Sequence, residues 1–305
     1  MSRPGADRQL LESPMPAGKT GLARLGAILH ITRPQIAAQA AAYTVLGAYL
    51  NQGLPFSRPD IVVIAALVVA LVVAFGFVSN DYVDLEIDRV NRPERPLPAG
   101  ELSRNGALWL AGLLVIAAVA VAWLLPPLLF CIACANIILT VAYSLLLKRT
   151  VLLGNMAMAL LNSSVLVFGG LATGAVSPLV WAVAGMSFVY TLGQEVLYTV
   201  DDIAGDAQLG LVTTAIYFGV GPSLSLFRAL MVLVMLLALI LWWLAALSPL
   251  VLAALLLCTV LPLALWIMPL TLQGEPRAIA RACHTLPFIR LISLFPLVLL
   301  RLPLG

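Results

Sequence analysis

Residues 61–88 read IVVIAALVVALVVAFGFVSNDYVDLEID, an apolar run that passes directly into a segment with four acidic residues. A helix that crosses the hydrocarbon core of a bilayer needs about 20 mostly apolar residues. Residues 61–79 provide a run of that length, and the acids follow it at once. The stretch therefore predicts a transmembrane helix that ends in a carboxylate-rich segment.

The whole chain has a membrane-like composition. Of its 305 residues, 62% are hydrophobic and 10% are charged, whereas a soluble domain carries about 25% charged residues. The composition predicts an all-α, polytopic protein in a lipid bilayer, and no basic run indicates a nucleic-acid partner. Apolar runs bounded by charges, prolines and glycines predict nine spans, at residues 27–50, 61–79, 106–125, 128–147, 155–175, 178–198, 222–246, 249–271 and 285–303.

The basic residues predict the orientation of these spans. With the N-terminus in the cytosol, 15 of the 17 Lys and Arg residues, Arg290 among them, lie on the cytosolic side, and only Arg58 and Arg301 lie outside. Cytosolic loops of membrane proteins carry such an excess. Residues 1–24 are polar, lack the apolar core of a signal peptide, and predict a cytosolic tail. Residues 25–305 are then one transmembrane domain in the inner or plasma membrane.

Eight of the 14 acidic residues fall in two short segments, at the ends of the second and sixth predicted spans. In the first segment, Asn80, Asp84 and Asp88 are four residues apart, so they share one face of a continuing helix. The second segment repeats this spacing with Asp202 and Asp206, and it also contains Glu195 and Asp201. Both segments are cytosolic in the predicted topology, so we expect them to face each other across one cavity.

The residue types in these segments favour a hard cation. Oxygen ligands without His or Cys suit Mg²⁺ before Ca²⁺, and Mg²⁺ completes its shell with water and substrate phosphate. Basic residues follow closely, at Arg89, Arg92, Arg95, Lys148 and Arg149. Such a site at a membrane surface predicts a receptor for a diphosphate on a hydrophobic tail. Metal and cationic groups would neutralise the departing diphosphate, the allylic C–O bond would ionise, and an acceptor would capture the cation.

The sequence from residue 80 to residue 100, NDYVDLEIDRVNRPERPLPAG, resembles the signature of the UbiA superfamily of intramembrane prenyltransferases, NDxxDxxxD followed by NRPxRPxPxG. The match is complete. Similarity continues in the second acidic segment through Gly219. It also includes Arg33 with Pro34 and, after the fourth predicted span, the residues Tyr143, Ser144, Lys148, Arg149, Thr150, Gly154 and Asn155.

This resemblance implies about nine transmembrane helices around a central cavity, with Mg²⁺ as cofactor and an isoprenyl diphosphate as donor. It assigns metal binding to Asn80, Asp81, Asp84, Asp88, Asp202 and Asp206. It assigns diphosphate binding to Asn80, Arg92, Arg95, Tyr143 and Lys148. Catalysis would depend on Asp84, Asp88, Asp202, Asp206 and Lys148. One departure is Thr199, where the family often has an Asp, so a second metal would lack one carboxylate here.

Three functions follow from these patterns. The first is transfer of the prenyl group to a hydrophobic or aromatic acceptor, which includes quinone precursors, tetrapyrroles and lipids. The second is a membrane terpene cyclase, in which the same cation closes on its own double bonds without an external acceptor. The third is a cation-coupled transporter, although transporters place their coupling acids near the midplane. The sequence predicts neither the acceptor, nor the prenyl chain length, nor the oligomeric state.

Overall fold

The structure, a computed structural model, describes residues 21–208, 210–245 and 247–301, and every regular element in these ranges is a helix. The all-α prediction is confirmed. The α-helices are α1 (Gly21–Thr32), α2 (Pro34–Gln52), α3 (Pro59–Val83), α4 (Leu85–Asn91), α5 (Arg104–Ala122), α6 (Pro127–Leu145), α7 (Leu153–Leu171), α8 (Pro178–Asp201), α9 (Ile203–Gln208), α10 (Thr214–Phe218), α11 (Val220–Leu244), α12 (Pro249–Leu255), α13 (Met268–Gln273), α14 (Pro276–Ile292) and α15 (Leu294–Leu299).

Three short segments of the described residues are 3₁₀ or π helices. A 3₁₀ turn over Leu147–Arg149 follows α6, and two π-helical segments, Leu256–Val260 and Leu263–Ile267, join α12 to α13. Proline opens several long helices, for example α3 and α8, because the first helical position needs no N–H donor. The sequence thus marks many of the helix starts.

Seven helical stretches in the described ranges are long and apolar enough to cross a membrane, which makes this an integral membrane protein. They are Pro59–Val83, Arg104–Ala122, Pro127–Leu145, Leu153–Leu171, Val220–Leu244, Pro249–Gln273 and Pro276–Leu299. Two other predicted spans coincide with α2 and α8, whose sequences hold more polar residues, such as Gln39 in α2 and Glu195 in α8. The count of nine membrane spans therefore stays a prediction.

The first predicted span, 27–50, is two helices and not one. Arg33 lies between α1 and α2 in a left-handed conformation, with φ 46° and ψ 60°. A residue that precedes proline is disfavoured in the helical region, and Pro34 follows here. The tail predicted over residues 1–24 overlaps the start of α1, which begins at Gly21. The rest of that tail lies outside the described residues.

The last predicted span, 285–303, begins earlier than expected, because α14 begins at Pro276. Arg290 is therefore an interior residue of this helix. Its guanidinium contacts Asn162 in α7 and the ring of Tyr43 in α2. Both of these partners lie at the middle of their helices, so Arg290 lies inside the bundle and not at the helix end expected from the sequence.

Close backbone contact joins α2 to α7. A Cβ atom on Gly47 would overlap the carbonyl oxygen of Leu166, and one on Gly169 would overlap that of Thr44. Small residues permit such close approach between membrane helices. Helix α7 also packs on α8, and α3 packs on α2 and α5. Residues of α2, α3, α6, α7, α8 and α14 then surround a central cavity.

Apolar side chains cover the outside of the bundle. Leu113 and Ile116 in α5 are 64% and 67% exposed, and Trp109 of the same helix is 76% exposed. The cavity, in contrast, is lined by charged and amide side chains among the apolar ones. This inverts the pattern of a soluble protein, as expected for a bundle whose outer surface faces lipid.

Candidate active site

The two acidic segments line the same cavity, which has a volume of about 800 Å³. Nine of the ten site residues predicted from the sequence lie in its wall. They are Asn80, Asp84, Asp88, Arg92, Arg95, Tyr143, Lys148, Asp202 and Asp206. The expectation that both segments face each other is thus met, and the cavity holds acidic and basic groups together.

The first segment keeps a helical path across a break in regular helix. Asp84 stands between α3 and α4 with φ −88° and ψ 3°. Its N–H donates to the carbonyl of Asn80 (2.9 Å), and the N–H of Asp88 donates to the carbonyl of Asp84 (2.8 Å). These two bonds preserve the spacing of four residues, so the side chains of Asn80, Asp84 and Asp88 reach one cavity wall.

The second segment has the same local geometry. Asp202 stands between α8 and α9 with φ −86° and ψ 1°. Its N–H donates to the carbonyl of Tyr198 (2.9 Å), and the N–H of Asp206 donates to that of Asp202 (2.9 Å). These φ and ψ values belong to the sparsely populated region where many active-site residues lie. The sequence spacing predicted the shared face but not this repeated break.

Three basic side chains reach the acids. Arg95 Nη1 donates to Asp88 Oδ2 (2.6 Å), and Lys148 Nζ donates to Asp84 Oδ1. Arg92 Nη2 lies 3.7 Å from Asp202 Oδ1. The last pair joins the two segments directly. Each of the three cations predicted to bind diphosphate therefore already lies beside a predicted metal ligand.

Asp81 is the predicted metal ligand that the structure does not bring to the cavity wall. It is 3% exposed, and its Oδ1 accepts from Arg33 (3.1 Å) and from Arg95 (3.2 Å). Arg33 in turn stacks on the ring of Phe77, 4.3 Å from its centre. This arrangement makes Asp81 a support for Arg95 and not a residue placed to bind an ion.

Three carboxyl groups of the two acidic segments, Asp88, Asp202 and Asp206, hold their protons more strongly than usual. Burial raises the pKa of Asp88, although Arg95 opposes this shift. Burial also raises the pKa of Asp202, against the effect of Arg92. The pKa of Asp206 is raised by burial and by neighbouring Asp202. A cluster that resists negative charge in this way favours the binding of additional cations.

The donor set fits Mg²⁺. All of the candidate ligands present oxygen, and Asn80 offers a buried Oδ1 that has no hydrogen-bond partner, while its Nδ2 donates to Asp84 Oδ2 (2.9 Å). In the described ranges no three His, Cys, Asp or Glu side chains are grouped closely enough to hold an ion alone. Mg²⁺ typically takes only one or two carboxylates and completes its shell with water and substrate phosphate.

Thr199 lies in the cavity wall at the position where a carboxylate was expected. Its hydroxyl donates to the carbonyl of Val196 (2.8 Å) in its own helix. The oxygen keeps acceptor capacity but carries no negative charge. The second acidic segment therefore presents Asp201, Asp202 and Asp206 to the cavity without a carboxylate one helical turn deeper.

Sequence reasoning missed the polar groups deeper in the cavity. Arg290 lines it and donates to Asn162 Oδ1 (3.3 Å), and Asn136 and Ser164 lie in the same wall. Polar residues inside apolar spans were the available signal, because such residues usually face the interior of a bundle. Arg290 was missed because it lay close to the expected cytosolic boundary of its span.

Comparison with known sequences gives consistent matches. A sequence model described as the UbiA prenyltransferase family matches residues 40–290. The digeranylgeranylglyceryl phosphate synthase of Methanoculleus marisnigri is 38% identical over 198 residues, which cover 64% of this chain and 70% of that protein. The enzyme of the same name from Methanoregula boonei is 42% identical over 160 residues, 52% of this chain and 57% of that protein.

Solved structures share the fold. A structure of a digeranylgeranylglyceryl phosphate synthase superposes with a TM-score of 0.73 at 26% identity, and the match covers 92% of this chain and 99% of that chain. A UbiA homologue from Archaeoglobus fulgidus bound to GPP and Mg²⁺ gives a TM-score of 0.64 at 20% identity, with 90% and 98% covered.

Proposed function

Because this chain belongs to the UbiA prenyltransferase family, we propose that it transfers an isoprenyl group from an allylic isoprenyl diphosphate to a lipid-like acceptor and releases diphosphate. The observation that carries the proposal is the single cavity lined by both acidic segments and by Arg92, Arg95 and Lys148. The cavity has a charged part that can bind a phosphate head group and an apolar part that can bind an isoprenyl tail.

The cytosolic end of the cavity would hold the diphosphate head. Asn80, Asp84 and Asp88 on one wall and Asp202 and Asp206 on the other would bind Mg²⁺. When bound, Mg²⁺ neutralises the charge that develops on the departing diphosphate. Arg92, Arg95 and Lys148 lie within contact of these acids and would turn toward the phosphate oxygens, with the Tyr143 hydroxyl nearby.

The isoprenyl tail would lie in the apolar part of the cavity. Val68, Val69 and Val72 of α3 and Phe168 of α7 line this part. They exclude water from the allylic cation, which would otherwise be captured as a prenyl alcohol. Phosphate at the metal end and an apolar chain in the bundle also position the reacting carbon reproducibly, and such positioning lowers the barrier.

A glyceryl phosphate lipid with a free hydroxyl is the acceptor that we favour among the predicted classes. The support is the 38% identity to a digeranylgeranylglyceryl phosphate synthase over most of its length. No specific observation favours an aromatic acceptor or the cyclase reaction. Family membership leaves the transporter hypothesis without support.

The proposed site faces the cytosol. With Arg290 assigned to the cavity, 14 of the 17 basic residues still lie on the predicted cytosolic side, the side on which both acidic segments end. The asymmetry of Lys and Arg supports this orientation. We also propose that residues 25–305 form one domain, because the cavity draws on helices from α2 to α14.

The direct experiment incubates the purified chain with geranylgeranyl diphosphate and Mg²⁺, with and without geranylgeranylglyceryl phosphate. We expect diphosphate release and an ether product that requires the acceptor. A hydrocarbon or terpenol formed at full rate without the acceptor would establish the cyclase instead. No consumption of allylic diphosphates of any length would reject the proposed function.

A further inference from the structure

Two charged side chains, those of Glu195 and Arg290, line the cavity deeper than the proposed diphosphate site. Glu195 in α8 is seven residues before Asp202, and a helical rise of about 1.5 Å per residue puts it about 10 Å further into the bundle. Arg290 in α14 carries the opposite charge. Both side chains line the cavity. The proposed metal and diphosphate contacts use neither of them.

Contacts to the middle of the bundle hold Arg290 in place. Its Nη1 donates to Asn162 Oδ1 (3.3 Å), and its Cζ lies 5.1 Å from the centre of the Tyr43 ring. The Tyr43 hydroxyl donates to the backbone carbonyl of Arg290 (3.2 Å). Tyr43 and Asn162 are each the tenth of nineteen residues in α2 and α7. The guanidinium is therefore fixed at mid-depth, in the cavity wall that also contains Glu195.

Glu195 itself makes no hydrogen bond and no ion pair within 4 Å to the part of the chain that the structure describes. A carboxylate inside a helix of a membrane bundle is costly and usually marks a functional site. Both carboxylate oxygens are therefore open to a ligand. The acid thus faces the space that the acceptor must enter.

We propose that Glu195 is the base that takes the proton from the acceptor hydroxyl, and that Arg290 positions it. This inference rests on the proposed function. The allylic C–O bond breaks and its electron pair leaves with diphosphate. The acceptor oxygen forms the new C–O bond with the allylic carbon, and its proton passes to the Glu195 carboxylate. In this arrangement the acceptor hydroxyl lies between two groups. The reacting allylic carbon is near the metal ligands, and Glu195 is deeper in the cavity.

The test compares Glu195→Gln with the unaltered chain, using geranylgeranyl diphosphate and geranylgeranylglyceryl phosphate. We expect ether formation to fall by about 10²-fold or more, the usual contribution of a general base. Mg²⁺-dependent donor binding and slow acceptor-independent release of diphosphate should remain, because ionisation does not need this base. Glu195→Asp withdraws the carboxylate by one methylene and should give an intermediate rate. It should also keep the increase of the transfer rate with pH, which Glu195→Gln should abolish.

Glu275→Gln is the matched control, because it makes the same change of side chain outside the cavity. Glu275 precedes α14, is exposed and does not line the cavity, so we expect transfer within about threefold of the unaltered rate. Arg290→Gln tests the positioning role: kcat should fall while the KM of the donor stays constant.

Several outcomes would overturn the inference. One is an unaltered transfer rate in Glu195→Gln. Another is equal loss of donor binding and transfer, since that pattern indicates a structural role. If Glu195→Gln does not fold, an unaltered transfer rate and an unaltered pH profile in Glu195→Asp would reject the inference. Failure of the unaltered chain to bind or consume the donor is a different result, because it rejects the proposed function itself.

Discussion

Arg92 Nη2 lies 3.7 Å from Asp202 Oδ1, so a cation of the first acidic segment touches a carboxylate of the second, although α5 to α8 separate them in the chain. Both side chains are about half exposed, at 46% and 53%, and ion pairs of this kind contribute little to stability, about 0–1 kcal/mol. The contact matters because it places both sets of proposed metal ligands around one space.

Loss of Arg92 should therefore affect the donor more than the fold. We expect Arg92→Gln to raise the KM for the isoprenyl diphosphate about tenfold, which corresponds to about 1.4 kcal/mol, with little change in Tm. Arg89→Gln is the matched control, because Arg89 pairs with Glu86 on the exposed face (2.7 Å). Steady-state kinetics of both variants checks this, and equal effects would contradict a specific role for Arg92.

Asp84 is the residue whose neutralisation should cost most turnover. It receives Lys148 on one oxygen and Asn80 on the other and is only 6% exposed. Asp84→Asn keeps the shape but removes the charge, and loss of one such electrostatic group typically lowers kcat by about 10²–10³-fold. Asp60→Asn, in the exposed first turn of α3, the helix that precedes Asp84, should remain fully active. Unaltered turnover in Asp84→Asn would remove this residue from the site.

Gly154 controls the position of Lys148 through the backbone. A Cβ atom at Gly154 would lie 2.7 Å from the carbonyl oxygen of Leu147 and 2.9 Å from Cα of Lys148. We expect Gly154→Ala to destabilise the fold by about 1–3 kcal/mol, as overpacking does, and to lower kcat by displacing the lysine. A Cβ at Gly112 in α5 meets nothing within 4 Å, so Gly112→Ala should be neutral or stabilising in a thermal melt.

Thr199→Asp should be tolerated, because its side chain already faces the cavity and not the core. The added carboxylate would join Asp202 and Asp206 and should lower the Mg²⁺ concentration that gives half-maximal activity. Thr199→Val, which keeps the shape without charge or hydroxyl, separates this effect from packing. A folded but inactive Thr199→Asp would show that the second segment does not bind metal in the predicted way.

Much of the fold could be predicted from the sequence, because each helix depends on residues that are close together in the chain. Apolar runs and prolines predicted helices at nine positions, and a spacing of four residues predicted the shared faces of Asn80, Asp84 and Asp88 and of Asp202 and Asp206. Both depend only on helix geometry and on hydrophobicity along the chain. The break at Arg33 was missed, although Pro34 was visible, because apolar residues flank it on both sides within the length of one membrane span.

Tertiary structure alone decided which polar groups meet. The family resemblance placed Asp81 among the metal ligands, but its side chain points to Arg33 and Arg95. Arg290 was expected on the cytosolic side, whereas it lines the cavity and contacts Asn162 and Tyr43. The physical reason is that the spans are nearly uniform in Leu, Val and Ala, so the choice of neighbouring helices depends on close contacts such as the one between Gly169 and Thr44 and not on periodicity. The positions of the charges along each helix follow from the order of the amino acids, whereas helix packing decides which of these charges share one cavity.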